Sequence, residues 1–188
     1  DNDFDVVITS GSSYKAILRG VEYKVRDVQI NVSAKELEIY YDGDLKRDDI
    51  YIEITTPKLK NLDVQNQSTV KLNGFDDEDF TIKTYDDASI SVDGNLGQLS
   101  LFLTDDSSVT LSGSVNDLRA SLIENSRLYA FDADAKSAEI NTNAQSRARI
   151  NAIDYLKVWA KGFSTIRYKG DPQVDIVEES RSSNISAY

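Results

Sequence analysis

The chain has 188 residues, 32 acidic against 21 basic, for a net charge of −11, and it contains no His, Cys or Met. Those absences exclude zinc-finger and Ser–His or Cys–His chemistry and any imidazole proton shuttle near neutral pH. The negative charge argues against nucleic acid, whose binding depends on Lys and Arg neutralising phosphates. With 40% hydrophobic residues the length suits one globular domain, and no apolar run approaches the roughly 18 residues of a membrane helix.

In chain order, residues 1–58 are strand-rich but irregular. Phe4–Val6–Ile8, Ala16–Leu18, Val28–Ile30–Val32, Leu37–Ile39 and Ile50–Ile52–Ile54 alternate with polar neighbours, the period of a half-buried strand. Gly11, Gly20 and Asp42-Gly43 fall between them, the last a hairpin-turn signal, and Pro57 ends the series. These strands are expected to cap one end of the sheet built by residues 59–188, because an open sheet edge invites aggregation. No helix is expected. The one permissive run, Val115–Glu124, falls in the register of a repeat.

From residue 59 onward the chain repeats itself. An apolar-x-apolar pair opens each unit: Leu62–Val64, Phe80–Ile82, Leu99–Leu101, Leu118–Ala120, Ala138–Ile140, Leu156–Val158 and Val174–Ile176. A second pair comes later in each unit, from Val70–Leu72 to Ile185–Ala187, and a small residue stands two places before it. Those small residues are Ser68, Ala88, Ser107, Ser126, Ser146, Ser164 and Ser183, stepping by about 19. Two short strands per unit cannot bury their faces alone, whereas stacked units bury a continuous column, so the repeat is one coil of a solenoid. A period near 19 is too short for helical repeats, and the hexapeptide signature of left-handed β-helices is missing. The expectation is an all-β, single-domain (1–188), single-stranded right-handed β-helix over 59–188, with the irregular strands of 1–58 as its cap.

The aligned coils predict which outward side chains stack. Asp86 and Asp87 should lie against Asp105 and Asp106, with Glu124 next. Solvated turns are the plain reading of this acidic corner; a Ca²⁺ site at Asp86, Asp87, Asp105 and Asp106 is the sharper one. A carboxylate-only hydrolase using Asp86 and Asp105 is a third, weakened by the absence of any reason for their acidities to diverge. Asp76-Asp77-Glu78-Asp79 is read as an exposed loop whose charges prevent edge pairing. A second constellation is basic and aromatic: Arg127, Tyr129, Phe131, Arg147, Arg149, Trp159 and Arg167 all point outward. Charge segregates accordingly, with 3 basic and 10 acidic residues over 59–113 (3 − 10 = −7) but 9 and 6 over 114–170 (9 − 6 = +3). Arg beside aromatic rings on a rigid sheet is a hot-spot composition, and equally the composition of aromatic ladders that only stabilise a sheet face.

Thr56-Pro57-Lys58-Leu59-Lys60-Asn61-Leu62, the Ser-x-apolar-x-apolar coils and the segment Gly162-Phe163-Ser164-Thr165-Ile166-Arg167-Tyr168-Lys169-Gly170-Asp171-Pro172 resemble the autotransporter adhesin head GIN domain family. The resemblance implies a right-handed β-helix, export in Gram-negative bacteria and an adhesive role; it implies no catalytic residues. Where that family repeats Gly-Ser-Gly corners, this chain carries Asp, Asn and Arg. The chain starts at Asp1 without Met, as expected of a processed form whose signal peptide or lipid-anchor segment has been removed. The functional expectation is a non-catalytic periplasmic or cell-surface module that binds glycan or surface protein through the basic and aromatic face, with no nucleic acid partner and no membrane span. A self-associating envelope spacer is the alternative.

Overall fold

In the computed structural model residues 3–41, 50–76 and 79–188 are described. The expected Asp42-Gly43 turn and the centre of the Asp76–Asp79 loop lie outside them. Ten strands build the repeat: β6 (Asn61–Val64), β7 (Thr69–Asp76), β8 (Phe80–Thr84), β9 (Ser89–Leu103), β10 (Ser108–Leu122), β11 (Arg127–Thr142), β12 (Arg147–Ala160), β13 (Thr165–Lys169), β14 (Gln173–Glu179) and β15 (Asn184–Ala187). They form a β-solenoid of about 7 turns with ~19-residue coils. The long strands each run from the second half of one coil, through a bend, into the first half of the next.

Successive coils pair in parallel, and apart from local register shifts like residues stack on like. One inward column runs Val70, Ile90, Val109, Leu128, Ala148, Ile166, Ile185; on the other half-coil Leu62, Ile82, Leu101, Ala120, Ile140, Val158 and Ile176 do the same. Leu99, Leu101, Leu111, Leu118 and Leu128 are at most 1% exposed, each burial worth roughly 1.5–3 kcal/mol. No single coil could provide this burial, because each of these side chains is covered by its counterparts in the coils above and below.

The small residues at each corner have two causes. Ala88, Ser107, Ser126 and Ser146 are wholly buried, and the hydroxyls face polar partners inside the coil. Ser107 Oγ lies 2.9 Å from Thr84 Oγ1, Ser164 Oγ lies 2.8 Å from Thr142 Oγ1, and Ser126 Oγ donates to the Leu103 carbonyl at 3.2 Å. Threonines at 84 and 142 thus supply partners for buried polar groups that would otherwise destabilise the coil.

The N-terminal region joins the same sheet in an order that the chain does not follow. β1 (Asp5–Ser10) stacks parallel on β7; β5 (Ile50–Thr56) stacks parallel on β1; β2 (Lys15–Gly20) pairs antiparallel with β5 and ends the sheet. Val6 and Ile52 therefore extend the Val70 column past the first coil. The antiparallel edge carries exposed Lys15 and Arg19, and Arg19 pairs with Glu53, charges that disfavour pairing with another chain.

Two features depart from expectation. A short helix, α1 (Glu22–Asp27), is present although none was expected. At six residues, with no side-chain cap and no buried residue, it is too short to show a helical period, and a Glu22–Arg26 ion pair at 3.2 Å supports it locally. The hairpin of β3 (Val28–Ser33) and β4 (Glu36–Tyr41) turns at Ala34-Lys35, both with positive φ (51° and 70°), where no turn-forming residue marks it. Among the described residues no helix is long and apolar enough to cross a membrane.

Candidate functional site

Two surfaces merit chemical attention, and the coil geometry creates both. The first is the acidic corner. In the turn Tyr85–Ala88 the Ala88 N–H donates to the Tyr85 carbonyl at 3.1 Å, and the turns at Thr104–Ser107, Asn143–Ser146 and Lys161–Ser164 repeat it. The central residues of five corners have left-handed backbone: Asp86/Asp87, Asp105/Asp106, Glu124/Asn125, Ala144/Gln145 and Gly162/Phe163, with φ between 50° and 67°. That conformation costs most residues about 1–2 kcal/mol and is tolerated best by Gly, Asn and Asp. The aspartates therefore have a conformational reason to be there. Corner amides also stack, Asp87 N–H donating to the Asp105 carbonyl at 2.9 Å and Asp106 N–H to Glu124 at 3.0 Å.

Three carboxylates of this corner, on Asp105, Asp106 and Glu124, are engaged with local partners. The Thr104 hydroxyl donates to Asp105 Oδ2 at 3.0 Å and to Glu124 Oε2 at 3.3 Å; Asn125 donates to Asp106, whose Oδ1 is 4.0 Å from Arg127. The pKa of Glu124 is raised above its ordinary value, first by a hydrogen bond with Asp105 and then by that carboxylate's charge, against an opposing bond from Thr104. Among the described residues no three His, Cys, Asp or Glu side chains converge to hold a metal ion. A depression of about 420 Å³ beside Asp3, Asn66, Gln67, Asp86 and Asp87 is lined wholly by polar residues.

The second surface is basic and aromatic, and the strand register divides it. Arg127 stands opposite Arg147, with Thr165 next; Tyr129 stands opposite Arg149, with Arg167 next. These two neighbouring columns lie on one half of the coil. Phe131 sits at the irregular stretch of β11 just beyond them. Trp159 does not belong with them: it lies on the other half-coil, opposite Asn141 and Glu178. The seven expected residues thus form a group of six and an outlier.

The rings are covered by the protein's own cations. Arg149 lies over Tyr129 at 5.7 Å, Lys169 over Phe131 at 5.7 Å, and Lys157 over Trp159 at 4.9 Å, all within the reach of a cation–π contact. Tyr188 packs against Phe131, ring centroids 5.1 Å apart. Sequence reasoning placed Lys169 outward beside Arg167 without linking it to Phe131, and gave Lys157 and Tyr188 no role, although a signal existed. Lys157 and Trp159 share a strand face at the i, i+2 spacing, and Lys169 lies two repeats beyond Phe131. Near Trp159, Tyr155 donates to Asp175 at 3.2 Å, and the pKa of its hydroxyl is raised, chiefly by burial and then by Asp175.

Comparison with known proteins fits this architecture. The sequence model described as "Putative auto-transporter adhesin, head GIN domain" matches residues 1–172. The chain belongs to that family. Its fold is similar to that of a putative adhesin from Bacteroides fragilis NCTC 9343, with a TM-score of 0.87 and 18% identity over 100% of this chain and 89% of that one. A putative adhesin from Parabacteroides merdae ATCC 43184 matches with a TM-score of 0.76 and 16% identity, at the same coverages. A putative lipid binding protein from Parabacteroides distasonis ATCC 8503 matches with a TM-score of 0.65 and 17% identity over 100% and 93%. At such identities the likeness shows the shared fold. Among curated proteins none matches the chain.

Proposed function

We propose that this head GIN domain is a non-catalytic, exported, cell-surface binding module whose contact surface is the face bearing Arg127, Tyr129, Phe131, Arg147, Arg149 and Arg167, and whose partner is a glycan or a surface protein. One observation carries the reading. In a chain of net charge −11, guanidinium groups stand opposite one another in adjacent coils, Arg127 beside Arg147 and Arg149 beside Arg167. Like charges at directly opposed positions destabilise a sheet. Among the described residues only Arg127 of these four has a carboxylate within 4.0 Å. Asp106 offsets part of the repulsion at Arg127 and the Tyr129 ring holds Arg149; what is left at Arg147 and Arg167 is explained by a ligand that completes the face. The family's adhesin character and an export route agree with this, as does an acidic corner whose aspartates have a backbone reason to be there.

The test compares partner binding by the wild type, by Arg147→Ala/Arg149→Ala and by Trp159→Ala, using a glycan array and surface-protein extracts. Loss in the double variant with retention in Trp159→Ala supports the face as drawn; retention in both removes it. A second reading, a self-associating spacer, is favoured by β14 and β15. Within the described residues each has a coil neighbour on one side only, and Ile176 and Val177 are about half exposed there. Light scattering over a concentration series separates the two readings, because a spacer's mass rises with concentration.

A further inference from the structure

The arrangement of rings and cations also bears on what kind of ligand the basic face takes. Aromatic side chains in glycan sites commonly offer an open ring face for the sugar to stack on, but here Arg149 and Lys169 lie over one face of Tyr129 and of Phe131. A guanidinium lying over a ring still has its N–H edge free, and that edge matches a carboxylate or sulfate with two parallel hydrogen bonds. Of the arginines on this face Arg149 is thus held in place by a ring, which reduces the freedom that side chain loses on binding. Coils are about 4.8 Å apart and alternate outward residues about 7 Å apart along a strand, so the four arginines spring from a small lattice of backbone positions. Arg147, Arg149 and Arg167 are exposed.

We infer that the ligand of this face is an acidic polysaccharide, carrying carboxylate or sulfate groups, that lies across coils four to six with its anions on Arg127, Arg147, Arg149 and Arg167. This rests on the reading of the face given above and narrows it. A neutral glycan would leave the guanidinium charges unmatched and meet rings already shared with Arg149 and Lys169. Single-stranded nucleic acid binds by stacking its bases on those same rings, over which Arg149 and Lys169 already lie. An acidic peptide binding by strand addition needs a free sheet edge, whereas every strand that carries these arginines has a coil on both sides.

The test measures equilibrium binding of the whole chain to heparin, polygalacturonate, dextran and poly-L-glutamate, at low and high salt. Wild type, Arg147→Gln/Arg149→Gln and Arg147→Lys/Arg149→Lys are compared, with unchanged thermal midpoints as the control for folding. Expected are salt-sensitive binding of heparin or polygalacturonate, none of dextran, and poly-L-glutamate at least about tenfold weaker. At roughly tenfold for each charge-assisted contact, the double Gln variant should bind about a hundredfold more weakly, and the Lys variant should fall between. No binding of either acidic polysaccharide at low salt overturns the inference, as does equal binding of dextran or of poly-L-glutamate. If dextran or a surface protein binds and the Gln variant abolishes it, the face survives and only the acidic-glycan assignment falls. If an acidic polysaccharide binds all three proteins alike, the face itself is wrong.

Discussion

Glycine at the bends of the solenoid should be irreplaceable where coils touch and replaceable where they do not. Gly113 and Gly74 both have positive φ, 96° and 72°. Around Gly74 an added Cβ meets nothing within 4 Å. At Gly113 it falls far inside 3.0 Å of the Gly94 carbonyl oxygen on the adjacent coil, the residue it pairs with in the ladder. Gly74→Ala should therefore cost only the left-handed penalty, about 1–2 kcal/mol, less the roughly 0.4–1 kcal/mol by which alanine stiffens the unfolded chain. Gly113→Ala bears the same penalty plus the cost of overpacking, roughly 1–3 kcal/mol. The obstructing atom is backbone and cannot rotate aside without lengthening bonds between coils. The expected losses are about 1 kcal/mol for Gly74→Ala and about 3 kcal/mol for Gly113→Ala. Guanidinium unfolding monitored by circular dichroism and by the single tryptophan, Trp159, measures both, with the slope m expected to stay constant. Equal losses in the two variants would refute the argument that inter-coil approach, and not the dihedral alone, demands glycine at 113.

The corners carry further consequences. Ser107→Ala should cost about 1 kcal/mol, the worth of its bond to Thr84, since Ala88 already fills the equivalent place one coil away; Ser107→Leu should cost about 3 kcal/mol by overpacking, and both are read from denaturant midpoints. Phe163, 71% exposed with φ 64°, should gain about 1 kcal/mol as Phe163→Asn, seen as a raised Tm. Glu124 is an acid whose folded pKa is raised by Asp105, so the folded state holds its proton more tightly than the unfolded one. Its contribution is complete below the ordinary glutamate value of 4.5 and is lost as pH rises through the higher folded value. Glu124→Gln should accordingly raise Tm more at pH 7 than at pH 4, and an equal effect at both would dismiss the Asp105–Glu124 contact.

Much of the architecture is legible in the residues. A spacing of about 19 between Ser68, Ala88, Ser107, Ser126, Ser146, Ser164 and Ser183, with apolar pairs on either side, determines the coil, because parallel in-register stacking repeats one chemical requirement at each level. The outward or inward direction of Arg127, Tyr129, Arg147, Arg149 and Arg167 comes with it, since side chains alternate along a strand. Periodicity is silent where only one copy of a feature exists. The insertion of β1 between β7 and β5, the helix α1 and the turn at Ala34-Lys35 each occur once, and long-range pairing, not local preference, decides them. Trp159 follows the first apolar pair of its unit and the arginines lie beside the second, and the register confirms that they occupy different halves of the coil. Tertiary structure showed that Asp86, Asp87, Asp105 and Asp106 occupy left-handed corners, and that cations cover Tyr129 and Phe131. Sequence alone determines which residues recur and face outward; backbone dihedrals and contacts across coils decide what those residues do, because both depend on neighbours about 19 or 38 positions away.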